Sequence, residues 1–428
     1  MRDSILLSRM VAAACLAIAA NCGVAHAQDE ATVKRQTQLR SQPSDSAPGI
    51  ADLPVNSVLI RQPQRQGAWM QVKTSAGTSG WVRMFDIGTP VRDLVVGLLR
   101  RAVTKPSAGT LATATIGIRG LGQGNVASVG TGAANGPSGI ETVALVEKAR
   151  ASQEQARDFA TRVGLRSLAL DDLPAPPPPA GLPAEVLSVK SVIAGDGLLS
   201  RALRSPDSLT DAEEAELGRQ FAVHWMQGQP ADATPGMQAY VNRLGRWLSL
   251  QSSRPALTWT FVVIDEAEFQ AFSAPGGYVF VSRGLVDRCA DEAELAALLA
   301  HEIAHVSQRH GLVAMQKFAS ADARATPDLA AMAWHMQRMG MGARAEFEAD
   351  RLAVTMLARS GLDPFGLMAV LVQQNALNDS DLHYAEAHPQ SRLRLDQLEQ
   401  AISLGGSIPE AHRPQVTIGQ RLASLGLP

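Results

Sequence analysis

The run Leu295-Ala296-Ala297-Leu298-Leu299-Ala300-His301-Glu302-Ile303-Ala304-His305 limits what this chain can fold into more than any other stretch. Its apolar positions recur at helical spacing and its residues are good helix formers, so one buried helix is expected from about Asp291 to about Gln308. His301 and His305 are four positions apart and share one face of that helix, the spacing at which two imidazoles bind a single zinc ion. Glu302 follows the first histidine, where its carboxylate can take a proton from a metal-activated water. The pattern H-E-x-x-H thus carries a hydrolytic chemistry with it.

A zinc centre of this kind needs three protein ligands and an open fourth position. One common pattern puts a third histidine six residues after His305, but that position is Gly311, and His310 is expected to point to another side of the helix. A second helical stretch opens with Glu346-Phe347-Glu348-Ala349-Asp350. Glu346 and Asp350 share a face, so one can bind metal while the other orients a ligand histidine; Glu348 is expected to point away.

Further motifs stand in register with these. Phe269-Gln270-Ala271-Phe272-Ser273-Ala274-Pro275-Gly276-Gly277-Tyr278-Val279-Phe280-Val281 lies upstream, and His388-Pro389, with Arg394 six residues after the histidine, lies downstream. With His301–His305 and E-x-x-x-D, they resemble the gluzincin metallopeptidases that include HtpX, BepA and the CAAX prenyl proteases, over roughly residues 215–400. Gln270 replaces the asparagine usual there, and no role is carried over to it. The resemblance implies one zinc ion per chain, held by His301, His305 and Glu346, with Glu302 activating water and Asp350 orienting a ligand. It also brings His388 toward the zinc, either to donate to the oxyanion or to bind as a fourth ligand that closes the site. Arg394 is expected to support charge in the cleft, a surface ion pair being its plainer role.

The 428 residues are enough for two or three domains, and 39 basic against 41 acidic residues give no bulk charge suited to nucleic acid or an anionic membrane. Residues 1–27 read as a secretory signal: Arg2 and Arg9, an apolar run from Met10 to Val24, then Ala25-His26-Ala27. Of three cysteines only Cys289 lies beyond it, so no internal disulfide is expected, and Cys289 reads as a small buried side chain. Residues 31–88 alternate β-prone runs with glycine turns (Thr37–Arg40, Ser57–Arg61, Trp69–Thr74, Ser79–Arg83) and resemble a bacterial SH3-like barrel, with Trp69 and Trp81 as core or ligand-contacting residues. Residues 89–207 read as a linker: a Gly-rich segment, one helix from Glu141 to about Val163, and a stiff spacer at Pro174–Pro179.

The expected fold is therefore multidomain: the small all-β barrel, then a mainly α (α+β) peptidase domain over 208–400 with a short edge-exposed sheet, then a tail over 401–428. Thr210 with Glu213 forms a capping box, and Gly277–Val281 is expected to line the cleft as an edge strand that pairs with extended substrate. The methionine-rich residues 312–342 suggest a lid or ordinary core; His335 within them reads as non-catalytic. No repeat of about 34 residues, the tetratricopeptide period, follows the peptidase motifs. The function expected is a periplasmic zinc endopeptidase acting on unfolded or misassembled envelope proteins, with peptidoglycan or a protein as partner of the SH3-like module. A binding protein or chaperone with a closed zinc site, and a peptidoglycan-peptide endopeptidase, are the rivals.

Overall fold

The computed structural model describes residues 30–88, 137–179, 197–321 without 233, 329–330, 332–333, 341–373, 391–405, 408 and 415–427. The expected signal, the Gly-rich segment, His335 and His388 lie outside these residues.

The N-terminal part is all β. Strands β1 (Glu30–Val33), β2 (Thr37–Arg40), β3 (Gly49–Leu53), β4 (Val58–Gln66), β5 (Trp69–Thr74), β6 (Ser79–Arg83) and β7 (Ile87–Gly88) form one sheet in the order β3-β2-β6-β5-β4-β1-β7, with every pairing antiparallel. This agrees with the SH3-like module expected there. Alternation fixes its faces: Leu59 of β4 is buried while its neighbours Val58 and Ile60 are exposed. Trp69 is buried, with the Arg83 guanidinium 5.5 Å over its ring, which favours the core role for this tryptophan.

Two helices, α1 (Gly139–Lys148) and α2 (Gln153–Arg162), replace the single helix expected from Glu141 to Val163. The break is local chemistry: Ser152 accepts from the Gln155 amide and the Gln155 side chain returns the bond, a capping box that starts α2 afresh. Further on come α3 (Leu198–Arg204), α4 (Asp211–Trp225) and α5 (Pro235–Ser249), and α4 begins at the expected Thr210–Glu213 capping box.

A three-stranded sheet follows: β8 (Thr260–Ile264), β9 (Ala271–Ala274) and β10 (Tyr278–Ser282), in the order β8-β10-β9. The strand expected at the edge, Gly277–Val281, is thus the middle one. It pairs in parallel with β8 and antiparallel with β9. The outer side of β8 is already covered by α5: Gln238 and Asn242 donate to the Phe261 carbonyl, Asn242 Oδ1 accepts from the Phe261 amide, and Gln238 Oε1 accepts from the Val263 amide. Side chains here do what a fourth strand would do, so β9 is the edge left toward the histidine helix.

That helix is α7 (Glu292–Ser307), preceded by α6 (Arg283–Arg288) and followed by α8 (His310–Ala321), α9 (Ala343–Arg359), α10 (Gly366–Gln373), α11 (Ser391–Gly405) and α12 (Ile418–Ser424). Every residue of α7 is buried, and it packs against α5, α9, α10 and β9. A helix enclosed on all sides must have its ends satisfied by protein. Asp291 accepts from the Ala293 and Glu294 amides as N-cap, and Glu292 is held by a bidentate bond from Arg421 of α12 and by the Tyr240 hydroxyl.

The β module reaches the same helix end. Arg65 of β4 donates to both oxygens of Asp291, at 2.8 and 2.6 Å, and also pairs with Asp363, its side chain only 2% exposed. Lys34 and Arg35 add ion pairs to Asp396 and Glu399 of α11. Removing one partner of such a buried cluster leaves the others uncompensated, at a cost of about 3–5 kcal/mol. Arg65→Ala is therefore expected to destabilise the full chain by that amount in equilibrium denaturant unfolding. A loss under about 1 kcal/mol, the range of an exposed pair, would show that this contact does not hold the module to α7.

Candidate metal centre

Helical register alone puts His301 and His305 one turn apart on the side of α7 that faces α9. From α9, Glu346 meets both: its Oε2 is 3.3 Å from His301 Nε2 and its Oε1 is 3.4 Å from His305 Nε2. The two Nε2 atoms are 3.0 Å apart, and all three side chains are buried. Bonds of about 2.0–2.1 Å to a tetrahedral zinc would set its ligand atoms about 3.3 Å from one another, close to this spacing. Among the described residues these three form the group of His, Cys, Asp and Glu side chains suited to a metal.

The chemistry of the donors points the same way. The Nδ1 of His301 faces Asp350 Oδ1 at 3.0 Å, and the Nδ1 of His305 faces His310 Nδ1 at 3.0 Å. With each ring proton engaged at Nδ1, two Nε2 lone pairs and a carboxylate converge on one buried point, an arrangement that a cation there makes favourable. Burial works against a charged His301, yet hydrogen bonds to Asp350 and Glu346 outweigh it and push its pKa up to about 9.

Asp350 lies one turn along α9 from Glu346 and touches His301, not the convergence point. It is held by Arg394 of α11, which donates Nε to Oδ2 at 2.7 Å and Nη2 to Oδ1 at 2.5 Å. Burial would raise the Asp350 pKa, but the Arg394 guanidinium overrides it and holds the carboxyl below its usual range. Arg394 is fully buried, so it is no surface pair; it stands behind His301, 4.0 Å from Glu346 Oε2. The sequence placed it near the centre without saying on which side.

Glu302 is buried next to His301, and Ser273 of β9 hydrogen-bonds its carboxylate. Desolvation raises its pKa above the ordinary carboxylate value despite the nearby His301 and Arg394. The edge strand thus runs directly past the candidate base. Beyond it a small cleft is lined by Ser273, Ala274, Pro275, His305, Leu312 and Met341.

The wall of that cleft is fixed by a residue the motifs did not reveal. Glu214 of α4 is fully buried and accepts from the Gly276 amide at 3.1 Å, from both terminal nitrogens of Arg254 at 2.9 Å, and from Arg309 Nε at 2.9 Å. One carboxylate thereby ties the turn after β9 to the residue just past α7. The approach leaves no room for side chains: a Cβ on Gly218 would lie 1.9 Å from the Pro275 carbonyl oxygen, and Gly276 has φ 72° with Ala215 Cα 2.3 Å from where its Cβ would be.

His310 and Glu348 also differ from expectation. Arg309 adopts φ 57°, turning the chain back so that α8 begins with His310 against His305 instead of away from it. Glu348 Oε2 lies 3.5 Å from His310 Nε2, and this contact holds the glutamate pKa below its ordinary value. Nothing in the local sequence marks Arg309 for left-handed backbone, where a residue other than glycine is uncommon.

Buried donors on two helices beside a carboxylate base and an edge strand define a metallopeptidase-type centre. Consistent with this, residues 235–402 match the model of peptidase family M48. The chain is 31% identical over 176 residues to a putative beta-barrel assembly-enhancing protease of Vibrio cholerae, covering 36% of this chain and 36% of that protein. It is 29% identical over 191 residues to the beta-barrel assembly-enhancing protease of Escherichia coli K12, covering 40% and 39%. It is 30% identical over 174 residues to the mitochondrial metalloendopeptidase OMA1 of Schizosaccharomyces pombe, covering 38% and 52%. The chain spans about a third to a half of the length of these curated relatives.

If Glu346 completes the centre, Glu346→Ala should weaken zinc binding, measured by chelator competition on the full chain. The loss should exceed the roughly 10–100-fold that removing an outer partner of a ligand costs. Unchanged affinity would exclude Glu346 as a ligand.

Proposed function

We propose that this chain is a zinc-dependent endopeptidase, with His301, His305 and Glu346 as the metal ligands. The observation that carries the reading is the convergence of these three buried donors beside Glu302. Zinc held by these three residues would supply a Lewis acid, at which water would be acidic enough to yield a proton at neutral pH. Glu302 takes that proton. Its raised pKa makes it a better acceptor than an exposed carboxylate, and the Ser273 bond fixes its orientation. It can then return the proton to the leaving amine. Asp350, clamped by Arg394, holds His301 in the tautomer that offers Nε2 to the metal.

Substrate is proposed to bind as an extended segment along β9, the edge beside Glu302, since β8 is capped by Gln238 and Asn242 and β10 is internal. Main-chain pairing favours polypeptide that is already unfolded. The secretory-type residues 1–27 support export to the periplasm, and no helix among the described residues is long and apolar enough to cross a membrane. Two relatives bear names that refer to β-barrel assembly and two-domain contacts fix the β module to the peptidase part, so unfolded or misassembled envelope proteins are the proposed substrates.

Glu302→Gln is expected to keep zinc affinity while cleavage of an unfolded outer-membrane protein falls by about 10²–10⁴, the usual contribution of a general base. A variant that cleaves as well as wild type would remove Glu302 from the mechanism. His388, six residues before Arg394, is proposed to approach the metal. His388→Ala raises basal cleavage if it acts as a closing ligand and lowers it if it serves the oxyanion; an unchanged rate would exclude both roles.

A further inference from the structure

The two histidines of the centre are backed by different chemistry. His301 rests on a carboxylate, Asp350, pinned by a guanidinium. His305 rests on another imidazole. For His305 to present the Nε2 lone pair toward Glu346 and His301, its ring proton must sit on Nδ1. Its Nδ1–H then donates to His310 Nδ1 across 3.0 Å, and His310, accepting there, must carry its own proton on Nε2. That Nε2–H faces Glu348 Oε2 at 3.5 Å, at the half-exposed side of α9. Each tautomer in the chain fixes the next.

We propose that His310 and Glu348 are positioning residues for His305, a histidine–glutamate pair that locks its metal-facing tautomer. The inference rests on the metal centre proposed above. The backbone is built for this contact. His310 is the first residue of α8, only five positions after His305, and a continuous helix would carry it to another side. Arg309 breaks the helix in left-handed backbone and is held there by its side chain, which donates to Glu214 Oε2 at 2.9 Å and to the Leu209 carbonyl at 3.2 Å. A non-glycine residue persists in that conformation only where its surroundings over-determine it. The consequence is a His310 ring that is buried and stacked edge-on to His305, with centroids 5.1 Å apart.

The test is zinc affinity of the full chain by chelator competition, with circular dichroism of each metal-free variant as the check on folding. His310→Ala removes the acceptor at His305 Nδ1 and should weaken zinc binding by about 10–100-fold. His310→Asn places an amide oxygen near the position of Nδ1 and should restore affinity to within about threefold of wild type, a rescue that general repacking would not give. Wild-type affinity in His310→Ala, or an Asn variant as weak as the Ala one, overturns the proposal. Where His310→Ala does not fold, Glu348→Lys reads the same contact from its exposed end. A lysine there opposes the Nε2 proton of His310, favours the tautomer that turns an N–H toward His305, and should weaken zinc binding; unchanged affinity overturns the proposal. A wild-type chain that binds no zinc would instead overturn the metal centre itself, so the two failures are distinct.

Discussion

Two imidazole nitrogens and a carboxylate oxygen pointed at one another inside a protein core repel unless a cation sits between them. The rest of the structure is arranged to hold that repulsive geometry in place. Each imidazole is fixed from behind, His301 by Asp350 and His305 by His310, so neither ring can rotate its lone pair away. Asp350 is itself held by two bonds from Arg394, and α9 is packed on α7. The fold therefore supplies the rigidity itself, and a cation bound there would supply the charge that makes it favourable.

The same helix explains why distant parts of the chain are needed. A helix buried along its whole length has no solvent at its first turn: the amides there donate to Asp291 and to the Val416 carbonyl, and the buried carboxylates need cations from other segments. Asp291 caps it from within, Arg65 reaches Asp291 from the β module, and Arg421 reaches Glu292 from α12 near the C-terminal end. The β module is then part of the scaffold around the centre, with its apolar core continuous with that of the peptidase part. Ion pairs as well as apolar contact hold it there.

The opposite end of α7 is where the cleft is made. Arg309 turns the chain sharply, Glu214 ties that turn to Gly276, and the small residues Gly218 and Gly276 let α4 and the turn after β9 meet backbone to backbone. One edge of the small sheet is closed by Gln238 and Asn242, and β9 is left beside Glu302. The edge strand β9, Glu302 and His305 are thereby set by one rigid corner of the fold.

Local sequence by itself determined the elements whose signals are short-ranged. Helix α7 with His301, Glu302 and His305, the Thr210–Glu213 cap, the strands at 37–40, 69–74 and 79–83, and the shared face of Glu346 and Asp350 all follow from spacing and propensity. Only the tertiary structure decided the order β8-β10-β9, which side of His301 Arg394 occupies, and the return of His310 and Glu348 to the back of His305. Periodicity tells which residues share a face, because that depends on the backbone's own repeat. It does not tell what lies opposite the face, because pairing order, a left-handed turn at Arg309 and the partner of a buried charge are settled by contacts between segments far apart in the chain.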